Sequence, residues 1–300
     1  MTTKKTIPII KITFLAGFLI GFGIGNTKTP KQGFAPSSST PAKNSSPMPD
    51  IKLGVMLPLT GDLANLGASA KAGTEVAIEE INSQGGINGS KIRALIEDSK
   101  CQPKDSASIA QKFISIDKVN AILGDICSGD TLAASPIVEA AATPLISPCS
   151  SNPDITNAGD YIFRVFPSDA FQGVRAAEHA KNALHFNKAA ILYVNNAYGN
   201  GLKETFKKRF LELGGEIATE EGYGQGSNDL RTQLLKIKEA NPEIVYFPSY
   251  TEDAIVGLKQ KNEISAINAT FLGTDAWADP KLFNETRESA EGAEWLEVKS

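Results

Sequence analysis

The chemistry available to this chain is concentrated in residues that stand just past short apolar runs. Ser128 follows the run "NAILGDI" within "CSGDT", and Cys149, Ser150 and Ser151 follow "PLIS" within "SPCSSN". Hydroxyls beside the free N–H groups of a helix N-terminus form an anion site suited to a carboxylate. One serine in such a place is ordinarily a helix cap; two clusters at successive runs favour a shared anion. Further along, Tyr198 in "NNAYGNG", Tyr250 in "FPSYTED" and Asp275 in "FLGTDAW" occupy matching places. A carboxylate with two aromatic rings suits an ammonium group, as charge partner and as π faces. The two sets together suit a zwitterion.

Other chemistries find little support. Both histidines, His179 and His185, lie on one helix-like stretch, remote in sequence from the serines and from Cys149, so no Ser/Cys–His apparatus is indicated. Neither has a cysteine or carboxylate at ligand spacing, so no metal or other cofactor is expected. The glycine-rich "GYGQG" at 222–226 lacks the spacing of phosphate loops and reads as a turn. The net charge of −4, without a Lys/Arg stripe interleaved with aromatics, argues against a nucleic-acid partner.

The elements that must position these residues alternate. After Asp50, the strand-like "IKLGVML" breaks at Pro58 and Gly61, and Leu66, Ala70, Gly73, Ala77 and Ile81 then recur at helical spacing. Gly85–Gly86 stops that helix. The cycle repeats through "KIRALIE", "NAILG" and "PLIS", then restarts after "YIFRVFPS" with "KAAILYV", "EIATEEGY", "EIVYF" and "TFLG". Such alternation predicts an α/β fold of two Rossmann-like lobes, 50–167 and 168–300, whose parallel sheets enclose a ligand cleft at their carboxyl ends. Residues 26–49 are rich in Ser, Thr, Pro and Lys and read as a solvated tether. Residues 1–25 place Lys4 and Lys5 before an uncharged apolar run from Ile12 to Gly25, the layout of an export signal or an uncleaved membrane anchor. The folded part is accordingly expected to be extracytoplasmic.

Cys101 and Cys127 each follow a strand, and neighbouring strands would bring them to one edge. In an exported chain a disulfide between them is expected, two buried thiols being the alternative. Cys149 is left as a small side chain near the cleft.

From Ile51 to about Gly292 the chain resembles the branched-chain amino-acid-binding proteins of bacterial ABC transporters, type I periplasmic binding proteins. The words that carry the likeness are "IKLGVMLPLTGDLANLG", "AIEEINSQGGINGSKI", "CQPKDSA", "CSGDT", "ISPCSSNPDIT", "FRVFPSDAFQG", "AYGNGL", "LGTD" and "ESAEG". The resemblance implies a Cys101–Cys127 disulfide and an amino acid held by Ser128, the Cys149 backbone, Ser150 and Ser151, with Asp275 on its ammonium and Tyr198 and Tyr250 closing the second lobe. It also implies hinge closure followed by docking on a membrane permease, with no catalysis. Relative to leucine-type binders, Asp275 stands for a glutamate, Leu66 for an aromatic ring in the side-chain pocket and Ser151 for a threonine, which points to a neutral amino acid. The family's returning segment, which completes the first lobe, has no counterpart in the sequence, so a flank of the first sheet is expected to lie exposed. A tethered sensor and a fragment without binding are the alternatives.

Overall fold

The structure, a computed structural model, describes residues 9–13, 49–264 and 267–299. Two parallel sheets form. The first contains β2 (Ile51–Leu57), β3 (Ile92–Asp98), β4 (Ala121–Leu123), β5 (Leu145–Ser147) and β6 (Ile162–Arg164), in the order β3-β2-β4-β5-β6. The second contains β7 (Lys188–Val194), β8 (Glu216–Tyr223), β9 (Ile244–Tyr246), β10 (Thr270–Gly273) and β11 (Glu294–Lys299), in the order β11-β10-β9-β7-β8. A further strand, β1 (Ile9–Thr13), pairs with β11 at the far edge. It belongs to the segment read as a signal or anchor; the rest of that segment and the tether, save Pro49, lie outside the described residues. Among the described residues no helix is long and apolar enough to cross a membrane.

Helices make the crossovers: α1 (Ala64–Ser83), α2 (Pro103–Lys112) and α3 (Ser128–Ala140) in the first lobe. In the second they are α4 (Asp169–Glu178), α5 (Ala197–Glu212), α6 (Arg231–Ala240), α7 (Thr251–Glu263) and α8 (Pro280–Thr286). One face of the first sheet buries Met56, Ile122, Leu145 and Ile162 with Phe113, Ala134 and Val138 from the helical side. On the other face α1 covers Val55 and Leu57. The close approach needs a glycine: a Cβ on Gly67 would stand 1.8 Å from the Pro58 carbonyl oxygen.

Helix α1 turns differently from its apolar spacing. Gly67 and Thr74 are buried, whereas Leu66 and Ile81, on the face expected to be buried, are 45% and 37% exposed. The cause is the sheet face itself, which α1 covers only over its β2–β3 side. Leu123, Ile146 and Phe163 are aligned across β4, β5 and β6. Ile146 and Phe163 remain 39% and 49% exposed.

Cys101 and Cys127 are bridged, with Cα atoms 5.6 Å apart. The strands that precede them are not neighbours, however: β2 runs between β3 and β4, so the bridge spans the end of β2. The order of strands in the chain suggests adjacency of the two, but it does not reveal that β2 is central.

Candidate functional site

In each sheet the strand order reverses, between β2 and β4 in the first and between β7 and β9 in the second. Loops leaving such a reversal diverge to opposite faces and open a crevice at the carboxyl ends. The two crevices face each other around a cavity of about 310 Å³. The lobes touch around it. Asn152 Nδ2 donates to the Ala197 carbonyl at 2.6 Å, and Asp62 Oδ2 stands 3.0 Å from where a Cβ on Gly226 would lie. Asp98 fixes the loop carrying Asp62 to Leu66. Burial opposes its ionisation, but bonds donated by Thr60 Oγ1 (2.6 Å) and by the N–H groups of Leu59, Lys100 and Thr60 hold its carboxyl below the usual range.

On the first wall, Ser128 opens α3 and lines the cavity. Its Oγ accepts the backbone N–H groups of Ser151 and Asn152, both at 3.2 Å. With its lone pairs so engaged, its O–H is left to donate into the cavity, beside the N–H groups that a helix start leaves unpaired. Ser151 also lines the cavity, but its Oγ donates to Asp169 Oδ2 at 2.8 Å. Its free lone pairs therefore suit a cation's N–H groups. Cys149 lines the cavity as well; its N–H donates to Ser147 Oγ at 3.3 Å, which leaves its carbonyl as the backbone acceptor. Ser150 is turned away. Fully buried, its Oγ donates to the Asp125 carbonyl at 2.9 Å and pairs with Thr131 Oγ1 at 2.8 Å, so it braces the wall and does not face the cavity.

On the second wall, Tyr198 in the first turn of α5 places its Oη 2.8 Å from Thr274 Oγ1 and 3.1 Å from Asp275 Oδ1. Tyr250 caps α7 and stacks on Tyr198, with ring centroids 5.1 Å apart at 13°. It also packs on Leu63 and the Cys101–Cys127 bridge of the other lobe, so one ring joins both walls. Asp275 receives a further side-chain bond from Gln172.

The electrostatics behind this wall are unbalanced. Burial, and then the charge of Asp275, pushes the Asp169 carboxyl well above its ordinary range; only Ser151 and the Arg164 guanidinium oppose this. Burial likewise raises Asp275. Burial and the two nearby carboxylates push the Cys149 thiol up to about 12, so it is no nucleophile at neutral pH. Asp275 lines the cavity, so a positive charge arriving there would favour the ionised form of both carboxyls.

Residues 50–280 match the model of a family described as periplasmic binding protein. The chain belongs to the periplasmic binding protein family. An amino acid binding protein of Pseudomonas aeruginosa is 32% identical over 246 residues, which cover 82% of this chain and 66% of that protein. From the same organism, a leucine-, isoleucine-, valine-, threonine- and alanine-binding protein is 30% identical over 81% of this chain and 65% of its own length. Among solved structures, a leucine-binding protein from Thermotoga maritima superposes with a TM-score of 0.74 at 27% identity, covering 81% of this chain and 68% of that one. A solute-binding protein of an ABC transporter from Rhodopseudomonas palustris, in complex with 3,4-dihydroxybenzoic acid, gives 0.71 at 26% identity, covering 80% and 66%. The chain thus spans about two thirds of the length of these relatives, and its fold is that of a type I periplasmic binding protein.

In this periplasmic binding protein the structure brings Ser128, Cys149, Ser151, Tyr198, Tyr250 and Asp275 to one cavity. Sequence reasoning missed three supporting residues. Asp169 reads as an acidic residue in a helix's first turn, an ordinary feature. Arg164 lies in a short strand; its Nη1 donates to the carbonyls of Ser151 and Asn152 at 3.1 and 2.7 Å, holding the serine loop. Asn152, which the sequence does not single out, donates to the Ala197 carbonyl and ties the lobes together. Contacts that only the folded chain brings together, such as Asn152 with Ala197 and Asp169 with Asp275, leave no local signal.

Proposed function

We propose that this protein captures an amino acid with a neutral side chain in the interlobe cavity and delivers it to an ABC importer, performing no reaction itself. The observation that carries this is the division of chemistry between the walls: a donating Ser128 at the start of α3, and an accepting set of Asp275 and Ser151, with Asp169 buried behind Ser151. The first suits a carboxylate and the second an ammonium, which the rings of Tyr198 and Tyr250 also favour. The names of the Pseudomonas relatives support the same class. A plain aromatic acid, the ligand in the Rhodopseudomonas complex, would leave the buried carboxylates uncompensated. Apolar side chains farther out, Leu63, Leu66, Ile126 and Ala276, favour a neutral side chain.

Hinge closure fits the mechanism: a ligand bridging both walls stabilises the arrangement in which Tyr250 rests on the disulfide. The test is titration calorimetry of the full chain against the twenty amino acids. At least one is expected to bind, and Asp275→Asn is expected to weaken it at least 100-fold without altering the melting profile, since removing one partner of a buried charge pair costs about 2–5 kcal/mol. Undiminished affinity in Asp275→Asn would sink the reading.

A further inference from the structure

We infer that the Asn88–Gly89 turn is a site of spontaneous modification, where the asparagine side chain closes on the glycine nitrogen and is converted to aspartate and isoaspartate. The inference does not depend on the ligand. Asn–Gly occurs twice in the sequence, at Asn88–Gly89 and Asn200–Gly201, and the fold treats the two pairs differently. The first lies between α1 and β3. Ile87 and Ser90 exchange backbone hydrogen bonds at 2.9 and 3.0 Å, and between them Asn88 and Gly89 have φ angles of 52° and 89°, a two-residue turn of the type I′ form. Those bonds use the N–H groups of Ile87 and Ser90, so the Gly89 N–H lies outside them. Asn88 is exposed, and nothing stands within 4 Å of where a Cβ on Gly89 would lie, so neither a side chain nor a neighbour hinders approach to that nitrogen.

The step needs no partner but water and hydroxide. As hydroxide removes the Gly89 N–H proton, the nitrogen attacks Asn88 Cγ. A new C–N bond closes a succinimide ring, the Cγ–Nδ2 bond breaks, and the side-chain nitrogen leaves as ammonia after taking a proton from water. Water then opens the ring at either carbonyl. One opening leaves aspartate; the other leaves isoaspartate, whose main chain runs through the former side chain. Either product adds a negative charge to the turn, and the longer isoaspartate backbone breaks the Ile87–Ser90 pairing. The damage stays local, because Asn82 also holds the start of β3: its Nδ2 donates to the Ile92 carbonyl and its Oδ1 accepts the Ile92 N–H, both at 2.8 Å. Asn200–Gly201 has the same atoms in another setting. Asn200 Nδ2 donates to Asn195 Oδ1 at 3.1 Å and to the Asn196 carbonyl at 2.9 Å. Gly201 lies inside α5, its Cβ position 2.6 Å from Asn152 Nδ2.

The experiment is prolonged incubation of the full chain at about pH 8, followed by peptide mapping with mass spectrometry and by labelling with an isoaspartate-specific methyltransferase. Asn88 is expected to convert roughly tenfold faster than Asn200, or more, since Asn200 can react only when α5 opens locally. Isoaspartate is expected at position 88 alongside aspartate, and the rate is expected to rise between about pH 6 and about pH 8 as hydroxide becomes available. In concentrated urea, where both pairs are unfolded, the two rates are expected to converge. Asn88→Gln is expected to remove the methyl-accepting site. Conversion of Asn88 no faster than that of Asn200, or aspartate formed without isoaspartate, would overturn the inference. A difference that persisted undiminished in urea would overturn it too, by showing that neighbouring residues and not the turn decide the rate.

Discussion

Asp169 and Asp275 are both held above the ordinary carboxylate range, chiefly by burial and, for Asp169, next by the charge of Asp275. The charged groups that answer them are few: Arg164 opposes the rise at Asp169, while Tyr198, Gln172 and Ser151 supply hydrogen bonds. An arriving ammonium stabilises the ionised forms, so binding expels a proton wherever one is held, and affinity rises with pH across that range. Calorimetry in two buffers of different ionisation enthalpy is expected to show net proton release on binding; equal heats in both buffers at every pH would refute it. A second pair affects stability. Ser106 Oγ lies 2.6 Å from Asp130 and 3.3 Å from Asp125, and burial raises both carboxyls, Asp130 from 3.8 to about 8. The folded chain then keeps protons that the unfolded chain has lost, so this pair's contribution to stability is fully present below about pH 4 and is lost as pH rises towards 8. Urea midpoints are expected to decline from pH 5 to pH 8, and Asp130→Asn is expected to flatten that slope. At this scale the sequence showed which residue types end strands, and hence most of the site. It did not show which way a hydroxyl points: Ser150 and Ser151 are neighbours, yet one braces the wall and the other faces the cavity, because their partners, Asp125 and Asp169, lie far off in the chain.

The elements themselves were largely legible, since strands and helices alternate with distinct periods and glycines punctuate them. What escaped was their lateral order and rotation. Strand β2 lies between β3 and β4, and α1 is rotated so that Gly67 and not Leu66 meets the sheet, because only a residue without a Cβ fits against Pro58. The Cys101–Cys127 bridge closes a loop with a sequence separation of 26 over the end of β2, beneath Tyr250. Loop-closure entropy gives such a bridge about 3.5 kcal/mol. Replacing both cysteines by serine is therefore expected to lower the unfolding free energy by about that amount in a denaturant titration. Because Tyr250 loses its seat, ligand affinity is expected to fall as well. Full stability in the double variant would mean that the packing of β2, β3 and β4 suffices without the bridge.

The two lobes are unequal as folding units. The second buries an extensive core around Phe206, Phe210, Tyr246, Phe247 and Trp277. The first buries one sheet face well and the other only beneath α1, where the fully packed residues are Val55, Leu57 and Ile126. Beyond α1 the aligned Ile146 and Phe163, with Val165 at 76% exposure, form an apolar strip on a rigid parallel sheet. Parallel sheets are ordinarily covered on both faces, and each of these side chains would gain about 1.5–3 kcal/mol by full burial. A second copy of the chain carries the same strip, and pairing two strips removes both from water at once. The full chain is accordingly expected to associate as its concentration rises, detectable by light scattering, and the pair Ile146→Lys with Phe163→Lys is expected to suppress that association. Both positions are solvent-facing strand sites, so the substitutions should leave the melting temperature of the second lobe unchanged. A chain that stays monomeric at every concentration, or a double variant that associates as strongly as the original, would show that the strip does not drive self-contact. The stability of the first lobe would then rest on its one well-covered face and the disulfide.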